Sequence, residues 1–225
     1  MPDPSPVHIT TRSGSVRVLT AEGAALSVDG GTIEAHDDGT MHVRRAPSAG
    51  TIEVRCAPGT DVTVGTSSGK VELLGALGAV RVATVSGAIR VVDATRVDVR
   101  TKSGTVDIGN CAGDCRIMTK SSKVHVGRAG RATVAAVSGL VLLERVGGAE
   151  VKTISGKVLL ALAPDPGRVS IHTVSGKVEI TVPPGTAPAT RLRSISGRVR
   201  CECTPGDEFE IAVASVSGAI RVSSA

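Results

Sequence analysis

The chain has 225 residues, with 26 Lys and Arg against 21 Asp and Glu for a formal net charge of +5, and 41% of it is hydrophobic. It has no Trp, no Tyr and a single Phe, Phe209, so its interior must be filled by Val, Ile, Leu and Ala, which suits a thin core between closely spaced sheets. The mild basic excess and the lack of stacking rings argue against a nucleic-acid groove or a sugar-binding cleft.

Five cysteines without framework spacing fit a reducing compartment better than a disulfide-stapled secreted domain. The opening Met1-Pro2-Asp3-Pro4-Ser5-Pro6 has neither the charged nor the apolar region of a signal peptide, and the chain contains no apolar run of about 18 residues. The expectation is a cytoplasmic protein without a transmembrane segment.

Taken in chain order, Val7, Ile9 and Thr11, then Ser13-Gly14, then Val16 and Val18 form one early copy of a strand, Ser-Gly corner, strand pattern. From Leu19 to Arg55 the pattern changes. Asp29-Gly30-Gly31 and Asp38-Gly39 separate short alternating runs such as Thr32-Ile33-Glu34-Ala35 and Met41-His42-Val43, which is the signature of β-hairpins. Residues 1–55 are therefore expected to form an antiparallel, hairpin-rich N-terminal cap that shields the first coil of a repeat array.

That array occupies residues 56–225. The corner glycine falls at Gly69, Gly87, Gly104, Gly139, Gly156, Gly176, Gly197 and Gly218, with Ser122 once in its place, in steps of 18, 17, 18, 17, 17, 20, 21 and 21. Counted from that residue, positions −7, −5 and −3 read Val62, Val64 and Thr66, then Val80, Val82 and Thr84, and so on to Ile211, Val213 and Ser215. Positions +2 and +4 run from Val71 and Leu73 to Ile220 and Val222. This period of two places each set on one strand face, and neither strand can bury its face alone. Stacking the copies about 4.8 Å apart closes a continuous core. The expected architecture is an all-β, parallel β-solenoid (β-helix) of about nine coils.

The run Pro58-Gly59-Thr60 into alternating Val, Thr66, Ser68-Gly69 and Val71, echoed by Pro184-Gly185-Thr186 leading to Ser196-Gly197-Arg198-Val199, resembles the bacterial putative-adhesin family of unknown function. Members of that family carry many Ser-Gly or Asn-Gly turns between short strands. The resemblance spans essentially residues 7 to 225 and implies adhesion by analogy of fold, with no functional residue to carry over.

Catalytic chemistry finds little footing. The Ser-Gly ladder has no histidine in a repeated relation to it, so its serines and glycines read as turn chemistry, with a hydroxyl ladder of Thr at −3. Glu34, His36, Asp37, Asp38 and His42 carry metal-ligand chemistry but match no zinc spacing. Cys115 and Cys201 fall at inward positions and read as small buried hydrophobes, with Cys203 on the same strand face as Cys201. No metal and no cofactor are expected.

The informative anomaly is apolar residues at outward parity. Position −2 reads Val85, Val137, Ile154, Val174, Ile195 and Val216 in six of the nine copies; either a corner bulge turns these side chains inward or they form an exposed stripe. Leu140, Leu142 and Leu159 fall at outward +1 and +3 positions, and stacking would set Leu142 beside Leu159 as a contact surface. The last strand, with Ile220 and Val222, has no capping segment after it and would offer an open edge for association.

The expected function is a non-enzymatic, adhesin-like scaffold that binds a protein or cell-envelope partner, or associates with itself, through Leu140, Leu142, Leu159, Ile220 and Val222. One alternative is a self-assembling cytoskeletal β-helix polymer. A second is a carbohydrate-active β-helix enzyme, for which the outward acids Glu72, Asp107 and Glu179 are too scattered to line a groove.

Overall fold

The computed structural model describes residues 5–37, 39–46 and 50–225. Every regular element among them is a strand, and they fall into two compact units, Met1–Ala112 and Gly113–Ala225. The protein is all-β and solenoid-like.

The first unit opens with β1 (Val7–Thr11), β2 (Ser15–Thr20), β3 (Ser27–Asp29), β4 (Gly31–Ala35), β5 (Met41–Arg45), β6 (Thr51–Cys56) and β7 (Val62–Ser68). Then β8 (Val71–Leu162) keeps pairing without a break for 92 residues. It is a wound ribbon and not a straight strand: Gly87 stacks over Gly69 and Gly104 over Gly87 in the first unit, and Gly139 over Ser122 and Gly156 over Gly139 in the second. The second unit ends with β9 (Val169–Val182), β10 (Ala189–Ser194), β11 (Val199–Glu202), β12 (Glu210–Ser215) and β13 (Ala219–Ser224).

The parity read from the sequence holds. Val62, Val64, Val71, Leu73, Val97, Val99, Val106, Ile108, Ile171, Ile180, Ile211 and Val213 are all buried. The corner has its own construction. Thr11, Thr66, Thr84, Thr101, Thr153 and Thr173 each donate their hydroxyl to the carbonyl two residues on, at 2.7 to 3.4 Å. The residue after that carbonyl is glycine at positive φ, as at Gly104 (126°) and Gly156 (147°). Such a bond satisfies a hydroxyl that the core would otherwise strand. Ser122, Gly197 and Gly218 depart from this pattern: none of the three has positive φ, the Ser122 Oγ pairs with Thr119, and at the later corners Ser194 donates its hydroxyl across to the Gly218 carbonyl.

The order of the coils differs from the order of the sequence at both ends. In the first unit β1 pairs in parallel with β5 on one side and β7 on the other, while β2 lies between β6 and the start of β8. The early copy therefore sits inside the stack, and β5 and β6, expected to be antiparallel, stack parallel upon it. Among the described residues, antiparallel pairing is confined to β4 on β5 and β3 on β6. The turn at Gly39, whose N–H bonds the carbonyl of His36, is a hairpin as expected. Asp29-Gly30-Gly31 is instead a corner between two strands that pair elsewhere.

The second unit repeats the device. β12 and β13 lie between β9 and the pair β10 and β11. Val222 is opposite both Ile180 and Cys201, and Ile220 and Val222 are fully buried. The open C-terminal edge expected at these two residues does not exist; the terminal coil is β10 and β11.

Two forces select this arrangement. Inward slots of β12 and β13 hold Ile211, Val213, Ile220 and Val222, whereas those of β10 and β11 hold Thr190, Leu192, Val199 and Cys201. The more apolar coil gains most from being covered on both sides. Charges agree. Arg17 of β2 lies 3.9 Å from Glu53 and 3.1 Å from Glu72, and Glu210 of β12 lies 3.4 Å from both Arg168 and Arg191. Sequence order would have set Glu53 directly opposite Glu72, where like charges destabilise a sheet, and would have left Arg168 and Arg191, offset by two residues, without the carboxylate of Glu210 between them.

Candidate functional site

The corner glycine sets up a surface as well as a turn. Because the chain swings out between the −3 residue, which is Thr, Ser or Ala, and the glycine, the side chain at −2 points away from the core. In the second unit the −2 residues Val137, Ile154, Val174 and Val216 are 44% to 52% exposed and Ile195 is 82% exposed. Of the two readings left open by the sequence, the exposed stripe is the observed one. Pairing of Thr153 with Thr173 and Ser155 with Ser175 sets Ile154 beside Val174. The Ser217 N–H bonds the Val174 carbonyl and the Ser196 N–H bonds the Val216 carbonyl, which continues the line to Ile195. Five β-branched side chains thus stand in register over roughly 19 Å at the strand spacing. In the first unit the −2 line runs Ser67, Val85 and Lys102, and no comparable apolar run forms.

Beyond the corner the second unit carries a shallow groove of about 410 Å³, lined among others by Leu142, Leu159, Ala161, Thr181, Glu179 and Arg221. The structure thus brings Leu142 and Leu159 together as the stacking argument requires, both half-buried. Leu140 is half-buried on the same strand face as Leu142 but does not line the groove. Ile220 and Val222 belong to the core and not to any surface.

The outward acids Glu72 and Glu179 are held in ion pairs. Glu72 bonds Lys70 and Arg17, and Glu179 bonds Lys177 and Lys157, which holds both carboxyls below the usual carboxylate range. Such groups stay ionised, the wrong state for the acid of a glycosidase pair. Ser170 and His172 lie 3.3 Å apart on the outward face of β9, a contact that no motif or spacing singles out.

Of the N-terminal cluster, His36 and His42 stack with ring centroids 4.1 Å apart and Glu34 is opposite His42; Asp38 lies outside the described residues. His8, which the sequence reading did not place with them, joins them at 4.8 Å from His42. The ring planes are tilted by 35° and 45° to one another, and among the described residues no group of three such side chains could hold a metal ion. Cys115 is buried as expected, with Cys56 and Cys111. Cys201 is not: it is exposed, because among the described residues no further coil covers β11.

The repeat, the Ser-Gly corner and the winding of residues 7–217 match one family model, described as Toastrack DUF4097. The chain belongs to the Toastrack DUF4097 family. No curated protein matches this Toastrack chain. A solved structure similar to it is a putative adhesin from Bacteroides fragilis, 10% identical over 96% of this chain and 91% of that one, with a TM-score of 0.50. At that identity the likeness is one of fold. A putative cell adhesion protein from Clostridium sporogenes is 9% identical over 99% of this chain and 93% of that one, with a TM-score of 0.26, too low to bear on the Toastrack geometry. No helix among the described residues is long and apolar enough to cross a membrane.

Proposed function

We propose that this Toastrack chain is a non-enzymatic, adhesin-like scaffold of about nine coils, capped at its N-terminal end by β3 and β4, which run antiparallel to β6 and β5, and that it docks a protein or cell-envelope partner on the second unit. The observation that carries the reading is the in-register stripe of Val137, Ile154, Val174, Val216 and Ile195, about half exposed or more. Contiguous apolar surface of this kind marks contact sites on proteins that otherwise bury such side chains. The adhesin-type name of the similar Bacteroides fragilis structure points the same way by analogy. Leu142 and Leu159 extend the apolar character to the other side of the corner.

Sedimentation of the purified protein with washed bacterial envelope vesicles tests this. Wild type should pellet with the vesicles, and Ile154→Lys with Val174→Lys should remain in solution while melting within a few degrees of wild type. Equal pelleting of both proteins, or of neither, would overturn it. The same double variant examined alone by analytical ultracentrifugation addresses self-assembly: polymers of wild type that vanish in the variant would assign the stripe to a second copy.

A further inference from the structure

We infer that Cys201 and Cys203 form a dithiol–disulfide couple on the outermost coil of the second unit, closed by reaction with a small-molecule disulfide. In a straight strand, residues two apart share a face but hold their Cβ atoms too far apart for a disulfide, which needs them roughly 3.5–4.5 Å from each other. This segment is not straight. β11 ends at Glu202 and the chain bends at Cys203, which brings the two Sγ atoms to 3.0 Å, within hydrogen-bond distance. Closing the bond then asks for a local rotation and no movement of the coil beneath.

Placement in the fold supplies access. β11 pairs with β13 on one side and with no other strand among the described residues, so Cys201 is exposed and Cys203 half-exposed. Cys56, Cys111 and Cys115 are buried, so the pair stands apart from every other cysteine in the chain. Thiol reactivity requires both an ionisable sulfur and a path for the reagent.

The steps balance. Cys201, the more exposed thiol, loses its proton to solvent, and its sulfur attacks one sulfur of a disulfide such as glutathione disulfide, expelling one glutathione thiolate. Cys203 then gives up its proton as its sulfur attacks Cys201 Sγ, the mixed disulfide breaks, and the second glutathione leaves. Two protein thiols are oxidised to one disulfide and one glutathione disulfide is reduced to two thiols. Burial first and the neighbouring sulfur second push the Cys203 thiol up to about 11.

The full chain, incubated with oxidised glutathione, alkylated and analysed by intact and peptide mass spectrometry, provides the test. Expected are a loss of two hydrogens, a Cys201–Cys203 cross-link, and no alkylation of Cys56, Cys111 or Cys115 until the protein is unfolded. Cys203→Ser should accumulate a stable glutathione adduct on Cys201 at least tenfold above wild type, with an unchanged circular dichroism melt to show that it folds. A lasting adduct on Cys201 in wild type, a disulfide to any other cysteine, or no reaction at either thiol would overturn the proposal.

Discussion

At the scale of single residues the fold rests on the corner, where Thr153 donates to the Ser155 carbonyl and Gly156 follows at φ 147°. A side chain there would be strained in two ways: L-residues avoid that φ, and its Cβ would meet the Gly139 carbonyl oxygen of the coil below. Gly156→Val should therefore cost about 2 kcal/mol or more. Ala161→Val, at a half-exposed strand position, should stay within about 0.5 kcal/mol. Denaturant melts of the two variants, compared at equal m-value, read this difference directly. Histidine makes the second residue-scale prediction. His8 lies between His42 and Thr63 on neighbouring strands, and burial first, then the His42 ring, lowers its pKa below 6.5. The fold thus favours the neutral ring. Its contribution to stability is complete above about pH 6.5, where both states are neutral. It is lost as pH falls below that value toward the folded pKa, because the unfolded chain takes up the proton first. The melting temperature should drop between pH 7.5 and 5.5, and His8→Asn should shrink that drop; an equal drop in both proteins would remove His8 from the account.

Elements, not residues, decide which coil lies where. β13 is the last strand in the sequence, and chain ends commonly fray. Here it is paired on both sides, whereas β11, earlier in the chain, has a partner on one side only among the described residues. Hydrogen exchange should therefore run opposite to sequence position: amides of Ile220 and Val222 should exchange slowly and those of Val199 and Cys201 fast. Faster exchange at β13 than at β11 would contradict the interleaved order. The edge that β10 and β11 present carries Arg191, Arg193, Arg198 and Arg200, all exposed. This excess of positive charge along an open edge, against the single acid Glu202, discourages strand addition by another copy, so the stripe, not the edge, is the surface suited to contact.

For the molecule as a whole, interleaving means that the second unit cannot be shortened from its C-terminus coil by coil. Truncation after Cys203 removes Phe209, Ile211, Val213, Ile220 and Val222, all buried, worth about 8–15 kcal/mol at the usual value per buried side chain. That is comparable to the roughly 5–15 kcal/mol that holds a typical domain folded. The truncated protein should lose its cooperative melt, whereas removal of the exposed Ser224 and Ala225 should shift the melting temperature by no more than a few degrees. A cooperative transition surviving the first truncation would show that β10 and β11 can pack on β9 directly.

The repeat carries most of the architecture in local sequence. Val and Ile at −7, −5, +2 and +4 declared the inward face, and glycine every 17 to 21 residues declared the corners, because period two is a property of a few neighbouring residues, as is the positive φ that the corner glycines from Gly69 to Gly176 adopt. Leu142 and Leu159 were legible as neighbours for the same reason. What the sequence could not order was its two ends. Any copy can stack on any other in the same register, so the backbone pattern is indifferent to whether β12 and β13 come after β11 or slip between it and β9. The signals that break this tie are pairwise: Glu210 held between Arg168 and Arg191, Arg17 between Glu53 and Glu72. Longer turns hint at it as well, since bypassing a coil adds a rise of about 4.8 Å that one or two extended residues cover, and the steps lengthen to 21 there. Exposure of the −2 stripe, burial of Ile220 and Val222, and approach of Cys201 to Cys203 all result from that order and from the swing of the backbone at the corner. The sequence by itself determined which residues face inward, because side-chain alternation is local. Only the tertiary structure decided which coil is last, because that depends on charges and apolar faces that meet only when distant copies are stacked.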